Sequence, residues 1–184
     1  MKKKPYSLGI IIGRFQVFHT GHIFMIDKAF ELCEEVGLFI GSSQESGTYK
    51  NPFSYETRKE LIETVCGDSL RVYPLPDIGV GNNSRWGDYV IENVEKCFGR
   101  APDLFISGKE QRRIDWFDSV KGVTISELYV PKTIEISASI MRGFMLEGDE
   151  ASWRRYTDPR LWPRFEELRE QVLKAHVNQY TSSI

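Results

Sequence analysis

The sequence predicts an α/β fold, in which a doubly wound, Rossmann-like sheet of five parallel strands carries helices on both faces and a helical extension follows at the C-terminus. Short apolar runs of strand length alternate with amphipathic segments of helix length, which is the pattern of a parallel sheet covered by helices. Several of these runs are continuously apolar, as expected for strands buried on both faces. The length of 184 residues suits one domain with a full hydrophobic core.

Five runs have the length and composition of strands, which suffices for a doubly wound sheet. In such a sheet, ligands bind beyond the carboxyl ends of the strands, where the strand order reverses. The turns after the first and fourth strands, which contain glycine and basic residues, are therefore the places to look for a site. In chain order, the predicted strands are Leu8–Ile12, Val36–Gly41, Arg71–Leu75, Leu104–Ser107 and Val123–Val130.

Apolar residues at helical spacing predict the helices that cover the sheet. Further helices are expected over Tyr55–Val65, after Ser137 and over about Trp162–Val177, where Pro-Arg-Leu-Trp-Pro marks a start. We expect a single domain over 1–184, with a core over about 7–150 and the helical extension over about 151–184. The two apolar stripes are Ile23, Ile26, Phe30 and Cys33, and Trp86 or Val90, Val94 and Phe98.

The composition argues against several classes of protein. Lys and Arg number 24 against 26 Asp and Glu, a formal net charge of -2, so no overall cationic field attracts nucleic acid or acidic membranes. Cys33, Cys66 and Cys97 lack CxxC spacing and lie in apolar helical patterns, which argues against zinc and favours a reducing compartment. The basic start precedes an apolar run too short for a signal peptide, and no window spans a bilayer. We therefore expect a cytoplasmic protein without nucleic-acid or membrane partners.

Two of the three histidines fall in the motif His19-Thr20-Gly21-His22. This motif lies between a predicted strand and a predicted helix, where exposed N–H groups and the helix dipole favour phosphate. Two imidazoles there would donate hydrogen bonds to phosphoryl oxygens. A purely structural interpretation makes Thr20 a helix N-cap, Gly21 a turn residue and the histidines surface residues. The preceding Gly13-Arg14 supports the phosphate site, because glycine admits a close phosphate and arginine offers a planar fork.

A second group of residues is Ile136-Ser137-Ala138-Ser139-Ile140-Met141-Arg142. Ser137 is predicted to cap a helix, Ser139 offers a further hydroxyl to phosphate, and Arg142 lies one turn into the helix. Alone, this pattern is typical of any capped helix that carries an arginine. Together with the histidine motif, it indicates a second side of a phosphate site.

The stretches Gly13-Arg14-Phe15-Gln16-x-Phe18-His19-x-Gly21-His22 and Ile136-Ser137-x-Ser139-x-x-Arg142 resemble the nucleotidyltransferase superfamily with HxGH and ISxTxxR motifs. Among its members, the sequence is most similar to the archaeal-type nicotinamide mononucleotide (NMN) adenylyltransferases, including bacterial forms fused to Nudix domains. The likeness runs from about Leu8 to Arg155. It departs from the family pattern at Val17, where proline is usual, at Ser139, where threonine is usual, and at Lys50, where arginine is usual.

The resemblance implies transfer of AMP from ATP to NMN, which gives NAD and pyrophosphate. Mg²⁺ would arrive with the ATP phosphates, without metal ligands from the protein, and the chain would form a homo-oligomer. His19, His22 and Arg142 would hold the ATP phosphates as the catalytic residues, and Lys50, Asn51 and Trp86 would contact NMN. The further residues implied for ATP binding are Gly13, Arg14, Phe15, Gln16, Gly21, Gly108, Ile136, Ser137 and Ser139.

Several alternatives stay open at this point. The same chemistry could serve nicotinate mononucleotide, phosphopantetheine or, with CTP, an alcohol phosphate, and the chain could be a catalytically silent nucleotide-binding regulator. An aminoacyl-tRNA synthetase is disfavoured because the chain is short and lacks a Lys-Met-Ser-Lys-Ser loop. Trp86 could be a core residue. Arg58, Arg112 and Arg113 are interpreted as solvated helix charges, although Arg58 could anchor a loop, and Trp153–Tyr156 as surface or subunit packing.

Overall fold

The computed structural model describes residues 3–81, 83–108, 116–117, 122 and 124–181. Within these ranges, five strands form one sheet in the order β3-β2-β1-β4-β5, and all neighbouring pairs are parallel. The predicted fold class is thereby confirmed. The strands are β1 Tyr6–Gly13, β2 Cys33–Gly41, β3 Arg71–Leu75, β4 Leu104–Ser107 and β5 Ser126–Tyr129.

The strand order places the switch point of the sheet between β1 and β4. From β1 the chain moves outward to β2 and β3, and it then returns to the other side of β1 to form β4 and β5. The connections after β1 and β4 therefore run to opposite sides, which leaves a crevice beyond the carboxyl ends of these two strands. Gly13 and Ser107 end the strands at this crevice.

Helices cover both faces of the sheet, as the sequence predicts. On one face, Ile10, Phe39 and Phe105 pack with α3 residues such as Val90, and on the other face the alternate strand residues pack with the remaining helices. In the described chain the α-helices are α1 Thr20–Leu32, α2 Tyr55–Cys66, α3 Ser84–Phe98, α4 Ala138–Glu147, α5 Glu150–Arg155 and α6 Phe165–Thr181.

Local sequence explains where the helices near the crevice begin and end. The side chains of Ser54, Asn83 and Ser137 each accept a hydrogen bond from a backbone N–H in the first turn of α2, α3 and α4, the arrangement of a good N-cap. Gly99 and Gly148 end α3 and α4 in the left-handed conformation, with φ of 71° and 73°, which glycine adopts without steric cost. The caps thus fix where these helices begin and where α3 and α4 end.

The structure corrects several predicted boundaries. Cys33 is the first residue of β2 and not part of the α1 stripe, because α1 ends one residue earlier. A 3-10 helix over Pro159–Arg164 precedes α6, so the last α-helix begins at Phe165, three residues after the predicted Trp162. The fifth strand begins at Ser126. The predicted start of this strand, Val123, lies outside the described residues. The same holds for Lys109, in the turn after the fourth strand, and for Arg112 and Arg113.

The C-terminal extension contains a helix that the sequence patterns do not separate, α5. Its Trp153 is 1% exposed and packs against Phe165, with ring centroids 5.1 Å apart. The interpretation of Trp153 as a surface or subunit-contact residue is therefore wrong, whereas Arg154 and Arg155 are exposed. Over the described ranges, none of the helices has the length and apolar character needed to cross a membrane.

Candidate active site

A cavity of about 810 Å³ opens at the switch point of the sheet. The connections that follow β1, β2, β3 and β4, together with the segment from Val130 to Arg142, line it. This is the place that the strand order predicts for a ligand. The residues of the predicted site that line the cavity are Gly13, Arg14, Phe15, Gln16, His19, Gly21, His22, Trp86, Gly108, Ile136, Ser137, Ser139 and Arg142.

His19 and His22 form a stacked pair at the start of α1. Their ring centroids are 3.8 Å apart, with an interplanar angle of 20°. The Nδ1 of His19 accepts from the Gly21 N–H at 3.2 Å, and the His19 N–H donates to the Nδ1 of His22 at 3.4 Å. His19 is thus the N-cap of α1. The purely structural interpretation, in which Thr20 is the N-cap, is wrong. Because both Nδ1 atoms accept, each neutral ring carries its proton on Nε2.

Both histidines are held in the neutral form at neutral pH. Burial lowers the pKa of His19 to about 4, and the nearby positive charge of Lys132 acts in the same direction. Burial also lowers the pKa of His22 well below its usual value, and its neighbour His19 contributes. The pair therefore offers two neutral N–H donors to the cavity and carries no formal charge.

Arg142 brings a buried cation to the same cavity. It is 7% exposed, and its Nη2 donates to the Ser139 Oγ at 3.2 Å. Its guanidinium lies 5.6 Å from the ring centre of Tyr49. Its Nε is buried without a hydrogen-bond partner, and no carboxylate of the described chain lies within ion-pair distance of it. A buried cation with unused donors favours an anionic ligand.

Lys132 lines the cavity although no sequence motif points to it. It lies between β5 and α4, is exposed, and is close enough to His19 to lower the pKa of that histidine. Arg14 lines the cavity from the loop after β1. Together with Arg142, these residues place three cations around the histidine pair. In the sequence, Lys132 stands just before Ile136-Ser137. That position alone does not distinguish it from lysines in other loops.

The loop after β1 has a tightly fixed backbone. Phe15 is 2% exposed and has a φ of 49°, a left-handed conformation that non-glycine residues rarely adopt. A Cβ on Gly13 would lie only 2.9 Å from the Phe15 ring, so a larger residue there would push the buried ring out of its position. Gln16 accepts from the Phe53 N–H at 3.0 Å and donates to the Asn51 Oδ1 at 3.2 Å. Its side chain thus ties the loop to the segment before α2.

Arg58 is not a solvated helix charge. Its side chain is completely buried, and it donates hydrogen bonds to the backbone carbonyls of Arg14 and Gly41 at 3.0 and 2.9 Å. The interpretation as a solvated charge is wrong, because a guanidinium that satisfies several loop carbonyls is stable in a dry interior. The alternative, in which Arg58 anchors a loop, is confirmed.

Three residues implied for NMN binding occupy two different places. Trp86 lines the main cavity and also belongs to the core, since it is 8% exposed and packs edge-on against Trp116 at 6.0 Å. Lys50 and Asn51 line a second cavity of about 530 Å³ beside α6 and not the main one. Asn51 is 5% exposed and donates to Glu45 at 2.8 Å. The structure therefore does not bring Lys50 and Asn51 together with the histidines.

Comparison with known proteins places these features in a family. A family model described as cytidylyltransferase-like matches residues 10–144. The chain is 40% identical over 105 residues to a nicotinamide-nucleotide adenylyltransferase of Saccharolobus solfataricus, covering 52% of this chain and 60% of that protein. A protein of the same name from Thermococcus kodakarensis is 38% identical over 94 residues, covering 48% and 49%. The chain thus spans about half the length of the curated relatives it matches.

A solved structure shows the same fold. The crystal structure of a bifunctional NMN adenylyltransferase/ADP ribose pyrophosphatase from Francisella tularensis, complexed with AMP and a manganese ion, superposes with a TM-score of 0.74. It is 24% identical in sequence, and the match covers 97% of this chain and 54% of that chain. Because the family model takes in most of the chain, including both motifs, the protein belongs to the cytidylyltransferase-like family of nucleotidyltransferases.

Proposed function

We propose that this protein transfers AMP from ATP to NMN, which produces NAD and pyrophosphate. One observation carries the proposal: the stacked pair His19–His22 and Arg142 line the same cavity at the switch point. The relatives named nicotinamide-nucleotide adenylyltransferase support the choice of substrates.

In the proposed reaction, an oxygen of the 5′-phosphate of NMN attacks the α-phosphorus of ATP in line. The new phosphorus–oxygen bond forms as the bond from the α-phosphorus to the bridging oxygen of the β-phosphate breaks, and pyrophosphate leaves with that electron pair. The attacking phosphate is already ionised near neutral pH, so no general base is needed. The protein has to align two anions and to stabilise the charge that develops on the leaving group.

The two histidines are suited to bind phosphoryl oxygens. In both rings Nδ1 is occupied by a backbone contact, which leaves Nε2–H for the ligand. A phosphate close to the rings would raise their pKa, because an adjacent negative charge favours the protonated form. The pair would then change from neutral donors towards cationic donors as charge builds on pyrophosphate.

The cations around the pair complete the proposed phosphate site. Arg142 would bind the triphosphate with its unused Nε–H, and Arg14 and Lys132 would neutralise charge from the more exposed side. Mg²⁺ would enter as part of the MgATP substrate, held by phosphate oxygens and water, the ligands that this ion prefers. The cationic lining near Arg142 fits a polyphosphate that brings its own metal. The Francisella tularensis structure, which contains AMP and manganese, supports a divalent ion in the reaction.

In the proposal, different residues of the cavity wall contact the two nucleosides. Gly108, at the end of β4, would lie beside adenosine, where a side chain would narrow the cavity. Trp86, Ile78 and Val80 would contact the nicotinamide ring, since all three line the cavity and aromatic and apolar side chains favour a flat ring. A contact between Lys50 and the phosphate of NMN would require another position of the Lys50 side chain, so that role stays a prediction.

An acceptor panel tests this proposal. The purified protein is incubated with MgATP and, in separate reactions, with NMN, nicotinate mononucleotide or phosphopantetheine, while pyrophosphate and the product are quantified. We expect pyrophosphate and NAD in equal amounts with NMN, and a higher kcat/KM for NMN than for the other acceptors. A higher kcat/KM for another acceptor would overturn the substrate assignment. ATP binding without pyrophosphate release from any acceptor would overturn the proposed enzyme activity and favour a nucleotide-binding regulator.

A further inference from the structure

A completely buried guanidinium lies beneath the cavity without touching it. Arg58 extends from the first turn of α2 and is 0% exposed. Among the residues that the structure describes, no carboxylate lies within ion-pair distance of Arg58, and its desolvated charge is compensated in another way. Burial lowers the pKa of Arg58 to about 10, so the group remains protonated at neutral pH.

Backbone carbonyls compensate that charge. Nη1 donates to Arg14 O at 3.0 Å and to Gly41 O at 2.9 Å, and Nη2 donates to Ser42 O at 3.1 Å and to Glu45 O at 3.4 Å. The Nε–H donates to Ser54 O at 3.1 Å. A guanidinium has five N–H donors, and five hydrogen bonds account for them. Arg58 therefore joins the loop after β1, the loop after β2 and the start of α2.

These bonds fall on the two strained positions of the site. Phe15 and Ser42, with φ of 49° and 48°, are the non-glycine residues with positive φ in the described chain. The Arg14 carbonyl belongs to the peptide unit before Phe15, and the Gly41 and Ser42 carbonyls belong to the two peptide units that flank Ser42. Left-handed residues cost free energy and persist only where their surroundings over-determine them. Arg58 supplies that constraint at both positions.

The two loops carry side chains that the site uses. The Phe15 ring contacts His22 edge-on, with centroids 4.9 Å apart, and Arg14 lines the cavity beside it. On the other loop, the Ser42 Oγ donates to Asp77 at 2.6 Å, which connects the loop after β2 to the loop after β3. Arg58 is thus linked through one residue to the histidine pair and through another to the opposite wall.

We propose that Arg58 is a positioning residue, which locks the loops after β1 and β2 in their left-handed conformations and so fixes Arg14, Phe15 and Ser42 for nucleotide binding. The inference rests on the proposed function, since that function assigns the loops to the nucleotide. A merely structural role would predict a loss of stability alone. A positioning role predicts in addition loosened loops and weaker transition-state binding at temperatures where the variant is fully folded.

The first test compares Arg58→Lys with the wild type. Lysine keeps the charge but has three donors on one atom and cannot span the two loops. We expect kcat/KM for adenylyl transfer to fall at least roughly tenfold, and amide hydrogen exchange to accelerate over 14–16 and 41–45. Arg100→Lys is the control, because Arg100 is an exposed residue that bonds to Glu35 and Ser7, and it should change neither. A lower melting temperature with unchanged loop exchange and kcat/KM would overturn the proposal.

The second test asks whether Arg58 enforces the left-handed backbone at Ser42. Ser42→Gly and Ser42→Ala both lose the hydroxyl that bonds to Asp77, but only glycine adopts a φ near 48° without steric cost. In the Arg58→Lys background, we expect Ser42→Gly to have a clearly higher kcat/KM than Ser42→Ala. With Arg58 intact, we expect a smaller difference. An equal difference in both backgrounds would show that Arg58 does not hold this conformation.

A third measurement needs no change at Arg58, should Arg58→Lys fail to fold. Ser42→Ala keeps the left-handed strain of the wild-type residue but loses the bond to Asp77. Because one guanidinium joins both loops, Ser42→Ala should speed exchange not only over 41–45 but also over 14–16, whereas Ser42→Gly, which relieves the strain, should do so less. Unchanged exchange over 14–16 in Ser42→Ala would overturn the coupling. Hydrogen exchange reports on the loops whether or not NMN is the acceptor, so a failure of the proposed function is distinguishable from a failure of this inference.

Discussion

At the scale of single residues, the two histidines combine a structural and a proposed catalytic task on different ring atoms. Nδ1 of each ring takes part in the capping arrangement at the start of α1, and Nε2 remains for a ligand. The sequence motif predicts where the pair lies. It does not predict the stacking at 3.8 Å or the neutral state, because the neutral state depends on the burial of both rings in the folded protein and the stacking on the tertiary arrangement of the loop.

Replacing His22 separates these two tasks. Asparagine keeps an acceptor near the position of Nδ1 but has no group at the position of Nε2, whereas glutamine reaches the Nε2 position with a donor. We expect His22→Asn to lower kcat by roughly 100-fold to 1,000-fold, the usual loss for one transition-state donor, with a small change in melting temperature. His22→Gln should retain more activity. The two variants are compared by steady-state kinetics and thermal unfolding, and equal kcat values in His22→Asn and wild type would refute the donor role.

We expect Arg142 to lower the stability of the folded protein and to support its activity. Its guanidinium is buried without a carboxylate partner in the described chain, so its desolvation is incompletely compensated. We expect Arg142→Met to raise the free energy of unfolding by on the order of 1 kcal/mol while turnover falls by roughly 1,000-fold. Arg142→Lys, which keeps the charge, should be intermediate in turnover. Urea unfolding and kinetics on the same samples test both, and a destabilised Arg142→Met with normal turnover would contradict the assignment.

At the scale of elements, the C-terminal extension is connected to the histidine motif. The Thr20 N–H at the start of α1 donates to the Tyr156 carbonyl at the end of α5, at 2.8 Å. Trp153 of α5 is buried in the same core cluster as α4 and α6. The sequence predicts an extension here but does not resolve α5, because a helix of six residues is too short to show a periodic pattern.

Trp153 tests the connection between the extension and the core. Removing a buried tryptophan costs about 3 to 5 kcal/mol, so Trp153→Ala should be strongly destabilised in urea unfolding, and Trp153→Phe much less. At temperatures where Trp153→Ala is folded, we expect a higher KM for ATP, because α5 fixes the first turn of α1 through Tyr156. An exposed-site control is Arg155→Ala. If Trp153→Ala and the wild type had the same midpoint of urea unfolding, the extension would not be part of the hydrophobic core.

At the scale of the whole molecule, folding should become less favourable as the pH falls. Above pH 6.5, His19 is neutral in both the folded and the unfolded state. Below it, the unfolded state gains a proton that folded His19, with a pKa of about 4, does not. Stability is therefore lost between pH 6.5 and about 4, by about 3 kcal/mol for His19, and His22 acts in the same direction.

Urea unfolding across this pH range measures the loss. The control is the double variant His19→Asn, His22→Asn, which lacks both titrating rings and should show a shallower decline over the same interval. Equal slopes in the two proteins would contradict the neutral, buried state of the pair. Pyrophosphate should reduce the decline in the wild type, because a bound anion raises the pKa of both rings.

The fold and the position of the cavity at the switch point could be predicted from the sequence, but the connections between the residues around the cavity could not. The alternation of apolar runs and amphipathic stripes identifies the layers, and the switch-point rule then brings the turn at Gly13 and the turn at Gly108 to one crevice. Arg58 is an example of a connection that the sequence does not predict. Its partners at Arg14 and Gly41 are distant in sequence, and no local pattern distinguishes a buried guanidinium from a solvated one. Self-association, which the resemblance implies, stays a prediction.

The proposed function requires that the adenylyl group itself moves from ATP to NMN in this cavity. The most direct measurement follows ATP labelled at its α-phosphorus, incubated with Mg²⁺, NMN and either the wild type or His22→Asn. The wild type should move the label into NAD in an amount equal to the pyrophosphate released, and His22→Asn should do so far more slowly. Label that stays in ATP, or that appears as free AMP or ADP without a dinucleotide, would contradict the account.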